Sequence, residues 1–404
     1  APEEAGTFAL SGGPAYSNNL TIDGLDNNDD RAARERFQPS LEAVEELQVI
    51  TNQFSAEYGR ASGGRINIRT RGGAQTFHGR AFYFFKDESL NANTFRNNSL
   101  RLKRLPLQEH TPGFTSSGPV ILPWIKNQTP TFFFSSYEFN KALDSALTDT
   151  LVPIQQNPRF SLPSPTRLQG RRLEDANAPA VSAEIAPFIS SVSTPLTNHT
   201  VTTRIDHQFS ETHNGALVYQ LGRSANLRQF GGGNRLAEAL QAKTRDSDAI
   251  SYSDNYVFSA NTVNQIRAQL SRLAPGTKAG GGANPVVLIT LNDPLVAGDP
   301  ARRSGTLVAG SSTTGATDRH EDRFQVQETL LHTKGSHSLK FGVDVQRIRS
   351  TFIDLSDASG TFSFASAGDF LAGISISPMR QELLVSPVPE IFWQAYPAAS
   401  GRTF

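Results

Sequence analysis

Residues 54–87 read FSAEYGRASGGRINIRTRGGAQTFHGRAFYFFKD and contain two strands of different character. In the first, residues 65–71, isoleucines alternate with polar residues, which predicts one buried and one hydrated face. A Gly-Gly pair then interrupts the chain. The second strand carries the aromatic run 82–85, which leaves neither face polar and favours apolar surroundings on both sides. This change of character predicts a soluble domain over residues 1–76 and a membrane barrel over residues 77–404.

Downstream of this point, apolar and polar residues alternate in segments of about 9 to 11 residues, long enough for a tilted strand to cross a bilayer. The clearest segment sets Leu339, Phe341, Val343 and Val345 against Lys340, Asp344 and Gln346. The pattern recurs around Val201, Ile205, Leu217, Ile250 and Ile266. No run of about 18 apolar residues exists, so the sequence predicts no transmembrane helix.

Short and long connections alternate between these segments. Tight turns are predicted at residues 209–213, 258–261 and 331–335, and long connections at residues 87–109, 140–198, 223–245, 273–318 and 349–378. Outer-membrane barrels have short periplasmic turns and long external loops, whereas soluble sandwiches rarely tolerate several long structureless loops. Within the last connection, residues 367–373 are compatible with one helical turn.

The region before the barrel is predicted to be a small α+β unit. Ser40 is a plausible N-cap, and Leu41, Val44 and Leu47 fall on one helical face, so a helix is expected from Ser40 to Leu47. Strands follow at Val49 and at residues 65–71. On spacing alone, any small α+β domain fits this pattern equally well.

An acidic cluster near the start of the chain invites a calcium-site interpretation. Its members are Asp23, Asp26, Asp29 and Asp30. Their spacing does not match an EF-hand loop, and Asx turns explain the same residues more simply. We therefore expect no metal site here.

Composition and motifs argue against other classes of function. The 38 basic and 38 acidic residues balance, so bulk charge does not predict a nucleic-acid partner. There is no cysteine, which excludes disulfides and thiolate metal sites. Neither a G-x-S-x-G elbow nor a phosphate-binding loop is present, and the eight histidines are scattered. The sequence predicts no enzyme and no cofactor.

Four motifs together resemble the plug-to-barrel passage of TonB-dependent outer-membrane receptors, and specifically their Oar-like branch. They are DGLDNND at 23–29, QVITNQFSAEYG at 48–59, GGRINIRT at 63–70 and FHG at 77–79. The resemblance implies active uptake across the outer membrane, with the plug moved by the inner-membrane TonB energy-coupling complex. The external ligand would be a siderophore, an oligosaccharide or a peptide, and outer-membrane lipid would surround the barrel. Members of this branch usually also carry a carboxypeptidase-regulatory-like domain.

The fold predicted is mainly β: an incomplete membrane-spanning antiparallel β-barrel of about nine or ten strands, with a small α+β plug at the N-terminus. A closed barrel of that size is filled by its own side chains, whereas barrels that hold a plug have about 22 strands. Residues 1–76 would be the C-terminal part of the plug and residues 77–404 the first part of the barrel. The first residues contain no signal peptide or energy-coupling segment, so we expect a fragment of a longer protein.

Four arginines are the candidate functional residues. Arg60, Arg65, Arg69 and Arg71 on the plug could pair with acidic residues of the barrel's inner wall, or they could form a solvated strand face. Aromatic residues are candidates for a lipid-facing girdle or for the core of a soluble β protein: Phe82–Phe85, Phe132–Phe134, Tyr137 and Phe139.

Two other functions remain open at this level. A passive outer-membrane barrel or surface adhesin would use the long loops for contact, and its residues 1–76 would lie outside the barrel. A soluble secreted β protein would bury Ile205, Leu217, Ile266 and Phe341 in a dry interior.

Overall fold

The computed structural model describes residues 10, 12–29, 31, 34–51, 55, 58–59, 61–99, 101–121, 130–155, 157, 160, 162, 167–168, 171–172, 182–229, 233–280, 284–292, 304–313, 316–355 and 360–373. The described residues from Leu10 to Arg71 are here called the N-terminal unit. Its strands are β1 (Asn18–Ile22), β2 (Leu25–Asp26), β3 (Asn28–Asp29), β4 (Arg34–Glu35), β5 (Val44–Ile50) and β6 (Gly64–Thr70).

Four of these strands form one mixed sheet in the order β2-β1-β6-β5, with β1 and β6 parallel. Leu20, Ile22 and Leu25 are buried and supply its apolar contacts. The tight turn between β1 and β2 is made by Asp23 and Gly24, both at positive φ. β3 and β4 pair separately as a short antiparallel hairpin.

The helix predicted from Ser40 to Leu47 is wrong. The chain makes a single 3-10 turn, Leu41–Ala43, and continues directly as strand β5. Leu41 is 86% exposed, so the apolar face that the pattern suggested packs against nothing. Antiparallel pairing of β5 with β6 satisfies the backbone of this segment, and tertiary pairing thus overrides the helical pattern.

The largest sheet has nine antiparallel strands. Its first members are β7 (His78–Asp87), β8 (Gln108–Pro119) and β9 (Thr131–Leu143). Four strands outside this sheet follow along the chain: β10 (Ser145–Pro153), β11 (Arg167–Leu168), β12 (Arg171–Arg172) and β13 (Ile185–Ser193). A short helix, α1 (Phe95–Ser99), lies between β7 and β8.

The remaining elements are β14 (Leu196–Ser210), β15 (His213–Gln229), β16 (Gln241–Ser259), β17 (Thr262–Ala279), β18 (Val286–Asn292), β19 (Ser304–Ala309), β20 (Ala316–Lys334), β21 (His337–Leu355), β22 (Thr361–Phe364) and α2 (Ala367–Ala372). The order across the large sheet is β7-β8-β9-β14-β15-β16-β17-β20-β21. This nine-stranded antiparallel sheet confirms the predicted strand count. Among the described residues, no helix is both long enough and apolar enough to cross a membrane.

Most strands of the large sheet are longer than the 9 to 11 residues expected, although β7 has 10. β16, β20 and β21 have 19 residues each. Their extra length lies beyond the apolar segments, where charged residues such as Arg272 and Asp322 continue the ladder. Hydropathy alternation therefore marked only the apolar part of each strand.

The two faces of the large sheet have opposite chemistry. On one face, Ile205, Leu217, Ile266 and Phe341 are 38–59% exposed, which contradicts burial in a dry protein interior. The other face, called the polar face below, buries Thr202, Gln220, Gln269 and Gln325. Apolar side chains toward the outside and polar side chains inside are the arrangement of a barrel wall in lipid.

The aromatic residues divide between these faces. Tyr83 and Phe85 are exposed on the outer face of the edge strand β7, as a lipid-facing girdle requires. Phe84 is also exposed, but it lies in register with Thr111 on the opposite, polar face, so its assignment to the girdle is wrong. Phe134 is buried, however, and shares the polar face with Arg204, its neighbour in register. Its assignment to the girdle is therefore wrong, because alternation along β9 turns it inward.

Both kinds of predicted connection are present. Two-residue turns at 211–212, 260–261 and 335–336 join β14 to β15, β16 to β17 and β20 to β21. Gly335 has a φ of 61°, which allows the last turn to be this tight. The connections at the opposite end of the strands are long and contain β10–β13, β18, β19, β22 and both α-helices.

The long connections form structure of their own. β10 pairs with β13, and β18 pairs with β19 and β22. Together with α2 they surround an apolar core that includes Leu151, Ile289, Leu307 and Phe370; these connections are here called the loop cluster. The helical turn expected at residues 367–373 is confirmed as α2, capped by Ser366 and ended by Gly373 at positive φ.

Candidate functional site

The N-terminal unit lies against the polar face of the large sheet. The hydroxyls of Ser40 and Ser136 are 3.0 Å apart, and the Gly73 N–H, just after the unit, donates to Asp206 at 2.9 Å. Gly24 leaves only 3.2 Å between a Cβ position and the guanidinium of Arg267. Contacts of this kind reach from β9 to β20, so the unit covers most of the polar face.

A buried ion-pair network forms the centre of this contact. Arg323 on β20 donates to Asp26 at 2.5 Å and to the carbonyl oxygen of Asn28 at 3.1 Å. Arg36 pairs with Glu321, also on β20. All four charged side chains are at most 4% exposed, so each depends on its partner for compensation of its charge.

Asp29 joins two strands of the sheet to the N-terminal unit. Its Oδ2 accepts from Arg319 on β20 at 2.6 Å and from Arg245 on β16 at 3.2 Å. Burial alone would raise the pKa of Asp29, but the hydrogen bond from Arg319 and the charges of both arginines outweigh it and lower the pKa. Asp29 is therefore held as a carboxylate.

A second, less enclosed cluster lies at the β1–β2 turn. Asp23 accepts from the Thr70 N–H at 2.9 Å and from the Thr70 hydroxyl at 2.7 Å, while Arg204 lies 3.8 Å away. Arg204 also donates to Asp206 at 2.8 Å. Burial raises the pKa of Asp23 above its ordinary value, although Thr70 and Arg204 act in the opposite direction.

The acidic cluster noticed in the sequence thus supplies these contacts. Asp26 and Asp29 do accept from the backbone N–H two residues ahead, which confirms the Asx turns predicted there. Each also carries an ion pair to the large sheet. Asp30 lies outside the described residues. No group of three metal-ligating side chains occurs within the described part of the chain.

The four candidate arginines of the sequence have other recorded contacts. Arg69 pairs with Glu45 at 3.3 Å, and the Nε of Arg71 donates to the Val44 carbonyl oxygen at 3.1 Å, both within the N-terminal unit. Arg65 stacks on the ring of Tyr58. Arg60 lies outside the described residues. Their predicted pairing with acidic residues of the barrel stays a prediction.

In most of the ion pairs between the N-terminal unit and the large sheet, the two charges are on the opposite sides from those expected. The acidic groups Asp23, Asp26 and Asp29 belong to the N-terminal unit, and their guanidinium partners belong to the sheet. A signal for this was present in the sequence. Along β20, Arg319, Glu321 and Arg323 alternate with exposed residues, which places three charges in a row on one face of a predicted barrel strand.

A cavity of about 450 Å³ opens beside this network. Its floor is the segment 34–41 of the N-terminal unit, and its wall is the polar face of strands β8, β9 and β14–β16. Charged and polar side chains line it, among them Arg34, Glu35, Glu138 and Asn140. The cavity lies toward the ends of the strands that carry the long connections, so a solute entering from that side would reach it first.

Comparison with known proteins gives this arrangement a family. Residues 69–394, most of the chain, match the profile of the outer membrane beta barrel domain. The chain belongs to this outer-membrane β-barrel family. This membership accounts for the apolar outer face and places the protein in the outer membrane.

Two kinds of relative extend the comparison. The chain is 35% identical over 74 residues to the TonB-dependent transporter Oar of Myxococcus xanthus, a match covering 18% of this chain and 7% of that protein. The solved structure of the outer membrane transporter YddB from Escherichia coli shares the fold with a TM-score of 0.55 at 10% identity. That match covers 89% of this chain and 44% of the YddB chain.

A third similarity is to the siderophore receptor PirA from Acinetobacter baumannii, with a TM-score of 0.48 and 14% identity over 86% of this chain and 42% of that one. By their names, these relatives are transporters and receptors. The present chain spans less than half the length of the YddB and PirA chains.

Proposed function

We propose that this chain is part of a TonB-dependent receptor that takes up an external ligand across the outer membrane. Residues 1–76 would form the later part of the plug, and residues 77–404 the first part of the barrel with its external loops. The observation that carries the proposal is the buried charge network between the two parts. Asp26, Asp29 and Arg36 reach guanidinium and carboxylate groups on the inner side of the wall.

The chemistry of this contact suits a plug that must stay seated and yet be released. An apolar interface of the same area would be held by the hydrophobic effect and would resist exposure to a water-filled lumen. Ion pairs and hydrogen bonds can be exchanged for water one at a time as the plug is displaced. The family relatives named as TonB-dependent imply the energy-coupling complex as the source of that displacement.

The ligand would enter through the loop cluster and bind in the cavity above segment 34–41. The polar lining of this cavity favours a hydrophilic ligand, so a siderophore, an oligosaccharide or a peptide all remain candidates. The work of the protein on this proposal is binding and translocation, and no residue is assigned to catalysis, cofactor or metal binding.

A cysteine pair tests the position of the plug. Because the chain has no cysteine, Ser40→Cys with Ser136→Cys introduces the only two thiols, at positions whose hydroxyls are 3.0 Å apart. Oxidation should link the two parts in outer membranes and change the mobility of the chain on a non-reducing gel. The single variants serve as controls. Failure of the pair to cross-link in folded protein would contradict the proposed plug.

Energy coupling needs a separate measurement. In living cells that contain the coupling complex, a full-length receptor that includes this chain and carries Ser136→Cys should react with a membrane-impermeant maleimide faster than in cells treated with a protonophore. The reason is that Ser136 is 1% exposed beneath the seated unit. Equal labelling in both conditions would argue against energised movement.

One observation favours the alternative function, a passive barrel or adhesin. The loop cluster has an apolar core of its own, centred on Leu151, Ile289 and Phe370, and could present a fixed surface to another cell or molecule. An adhesin does not require residues 1–76 inside the barrel. The cross-link between positions 40 and 136 therefore discriminates between the two functions.

A further inference from the structure

The outer face of the large sheet carries a row of charges in register at one height. Across β16, β17, β20 and β21, four charged residues lie opposite one another in the strand register: Asp248 faces Arg272, Arg272 faces Asp322, and Asp322 faces Arg349. Arg223 on β15 completes the row, because its Nη2 donates to both oxygens of Asp248 at 2.8 and 2.9 Å. Together with Arg347, these residues are here called the charged band: Arg223, Asp248, Arg272, Asp322, Arg347 and Arg349.

The charged band lies immediately above the apolar surface. The row below it in register contains Ile250, Leu270 and Phe324, all exposed, and continues on β21 as Arg347. Phe258, at the other end of β16, is ten residues from Asp248. At about 3.4 Å per residue and a tilt of about 40°, this separation is about 26 Å along the membrane normal. The value is close to the height of about 25 Å that lipid-facing apolar bands have in outer-membrane barrels.

The two rims of the apolar surface differ in chemistry. Near the short turns, the rim consists of aromatic rings in contact: Phe209 stacks on His213 at 4.5 Å, and Tyr256 lies tilted against Phe258 at 4.6 Å between centroids. At the opposite rim, four arginines stand in the charged band. Neutral rings suit either membrane interface, whereas a row of guanidinium groups favours an interface rich in phosphate.

Arg347 and Arg349 are the members most available to a ligand. Both are exposed, and their backbones pair with β20 in the strand ladder while their side chains extend from the outer face. Arg272 is 64% exposed although it donates to Asp322 at 2.8 Å, so its remaining N–H groups also face outward. The guanidinium groups exceed the carboxylates in the band by four to two, and by four to three when Asp246, which lies in register with Arg223, is included, so the net charge is positive.

We propose that the charged band binds the phosphate groups of lipid headgroups in the outer leaflet of the membrane. Paired guanidinium N–H groups would donate to phosphate oxygens, and the carboxylates Asp248 and Asp322 would hold Arg223 and Arg272 at the correct height. The proposal rests on the orientation in the proposed function, in which the long connections are external. It concerns the lipid-facing surface and is independent of plug movement.

Native mass spectrometry of the full chain in detergent tests this proposal. The probes are bis-phosphorylated lipid A and the same lipid after enzymatic removal of both phosphates. The wild type should retain the phosphorylated form preferentially. Arg347→Gln with Arg349→Gln breaks no recorded ion pair and should weaken that binding about 30-fold, since each arginine near an anionic surface contributes roughly fivefold. Arg272→Gln should weaken it about fivefold.

Arg69→Gln is the matched control. Arg69 is 60% exposed and paired with a carboxylate, like Arg272, but it belongs to the N-terminal unit. It should bind lipid A as the wild type does. Equal retention of the phosphorylated and dephosphorylated lipids, or wild-type binding by the double variant, would overturn the proposal. A lost cross-link between positions 40 and 136 with intact lipid preference would instead count against the plug alone.

Discussion

Replacing Arg323 by glutamine removes the central charge of the contact between the N-terminal unit and the sheet. Arg323 is fully buried, and its loss leaves the carboxylate of Asp26 without its shortest partner in a position that is 3% exposed. Breaking a buried ion pair by removing one member costs about 3–5 kcal/mol. We expect the N-terminal unit to open from the sheet more easily by this amount, while the strands of the sheet remain paired.

Hydrogen exchange at two backbone amides measures this opening. The Asp26 N–H donates to the side chain of Gln325 at 3.0 Å, and the Gly73 N–H donates to the side chain of Asp206 at 2.9 Å, so both bonds reach the sheet. A loss of 3 kcal/mol corresponds to roughly 160-fold faster exchange of both amides. Arg272→Gln is the control, because an exposed Arg–Asp pair contributes about 1 kcal/mol or less.

A double variant tests whether the effect comes from the uncompensated charge. Asp26→Asn combined with Arg323→Gln leaves no carboxylate at position 26, so exchange should be slower than in Arg323→Gln alone. The coupling between the two changes should fall within about 0.5–3 kcal/mol. If the amides of Asp26 and Gly73 exchange in Arg323→Gln within about fivefold of the wild-type rate, the network does not hold the N-terminal unit.

Three further predictions concern pH, the lipid face and the loop cluster. Ion pairs lower the folded-state pKa of Asp29 below its ordinary value of 3.8. The stability that Asp29 contributes should therefore be present above pH 3.8 and lost as the pH falls through the lowered pKa. In acid unfolding monitored by tryptophan fluorescence, Asp29→Asn should abolish this loss. Burial raises the folded-state pKa of Asp23, so the pH dependence of its contribution to stability has the opposite sign. That contribution is present below pH 3.8 and lost as the pH rises through the raised pKa. Asp23→Asn should remove this loss of stability. Val343→Arg, on the lipid face, should lower the free energy of unfolding from bilayers by about 2–4 kcal/mol in denaturant titrations, whereas unchanged stability would contradict a membrane location for this position. Phe370→Ala should destabilise the loop cluster by about 3–5 kcal/mol, seen as faster hydrogen exchange in β18 and β22 with unchanged exchange in β20.

The sequence was sufficient to predict the large sheet because its signal repeats every two residues. Leu339 to Val345 alternate with polar residues, and the structure places them on the exposed face of β21. The turn at Gly335 was equally readable, since a glycine between two alternating segments marks a hairpin. The length of β21 was not, because residues beyond Val345 are charged on the outer face and end the hydropathy pattern before the strand ends.

Helical periodicity was misleading in the N-terminal unit. Leu41, Val44 and Leu47 fit one helical face, but the backbone of this segment pairs with β6, a strand that begins twenty residues after Val44. The local secondary-structure propensity of a segment contains no information about a pairing strand that far away in the sequence. The polarity of the charge network was missed for a similar reason. Asp26 and Arg323 are almost 300 residues apart, and each has a satisfactory local interpretation by itself.

The loop cluster was also beyond local analysis. Its strands come from three separate segments, and the parallel pairing of β18 with β22 joins residues about 75 positions apart. Only the helix α2 was predictable, because Ser366 and Gly373 provide a start and a stop signal within eight residues. Long connections rich in Pro and Gly can therefore contain a core that hydropathy along the chain does not reveal.

The central claim is that the large sheet separates lipid on its apolar face from a protein-filled lumen on its polar face. Nitroxide scanning along β21 in bilayers tests this directly, since single cysteines can be introduced into a chain that has none. Labels at positions 339, 341, 343 and 345 should collide with oxygen and not with a water-soluble nickel chelate, and labels at 319 and 325 of the neighbouring strand β20, both buried on the polar face, should be shielded from both. The nickel chelate should first gain access at positions 347 and 349. Equal access of the chelate along the whole strand, or equal accessibility of the two sets of labels, would contradict the account.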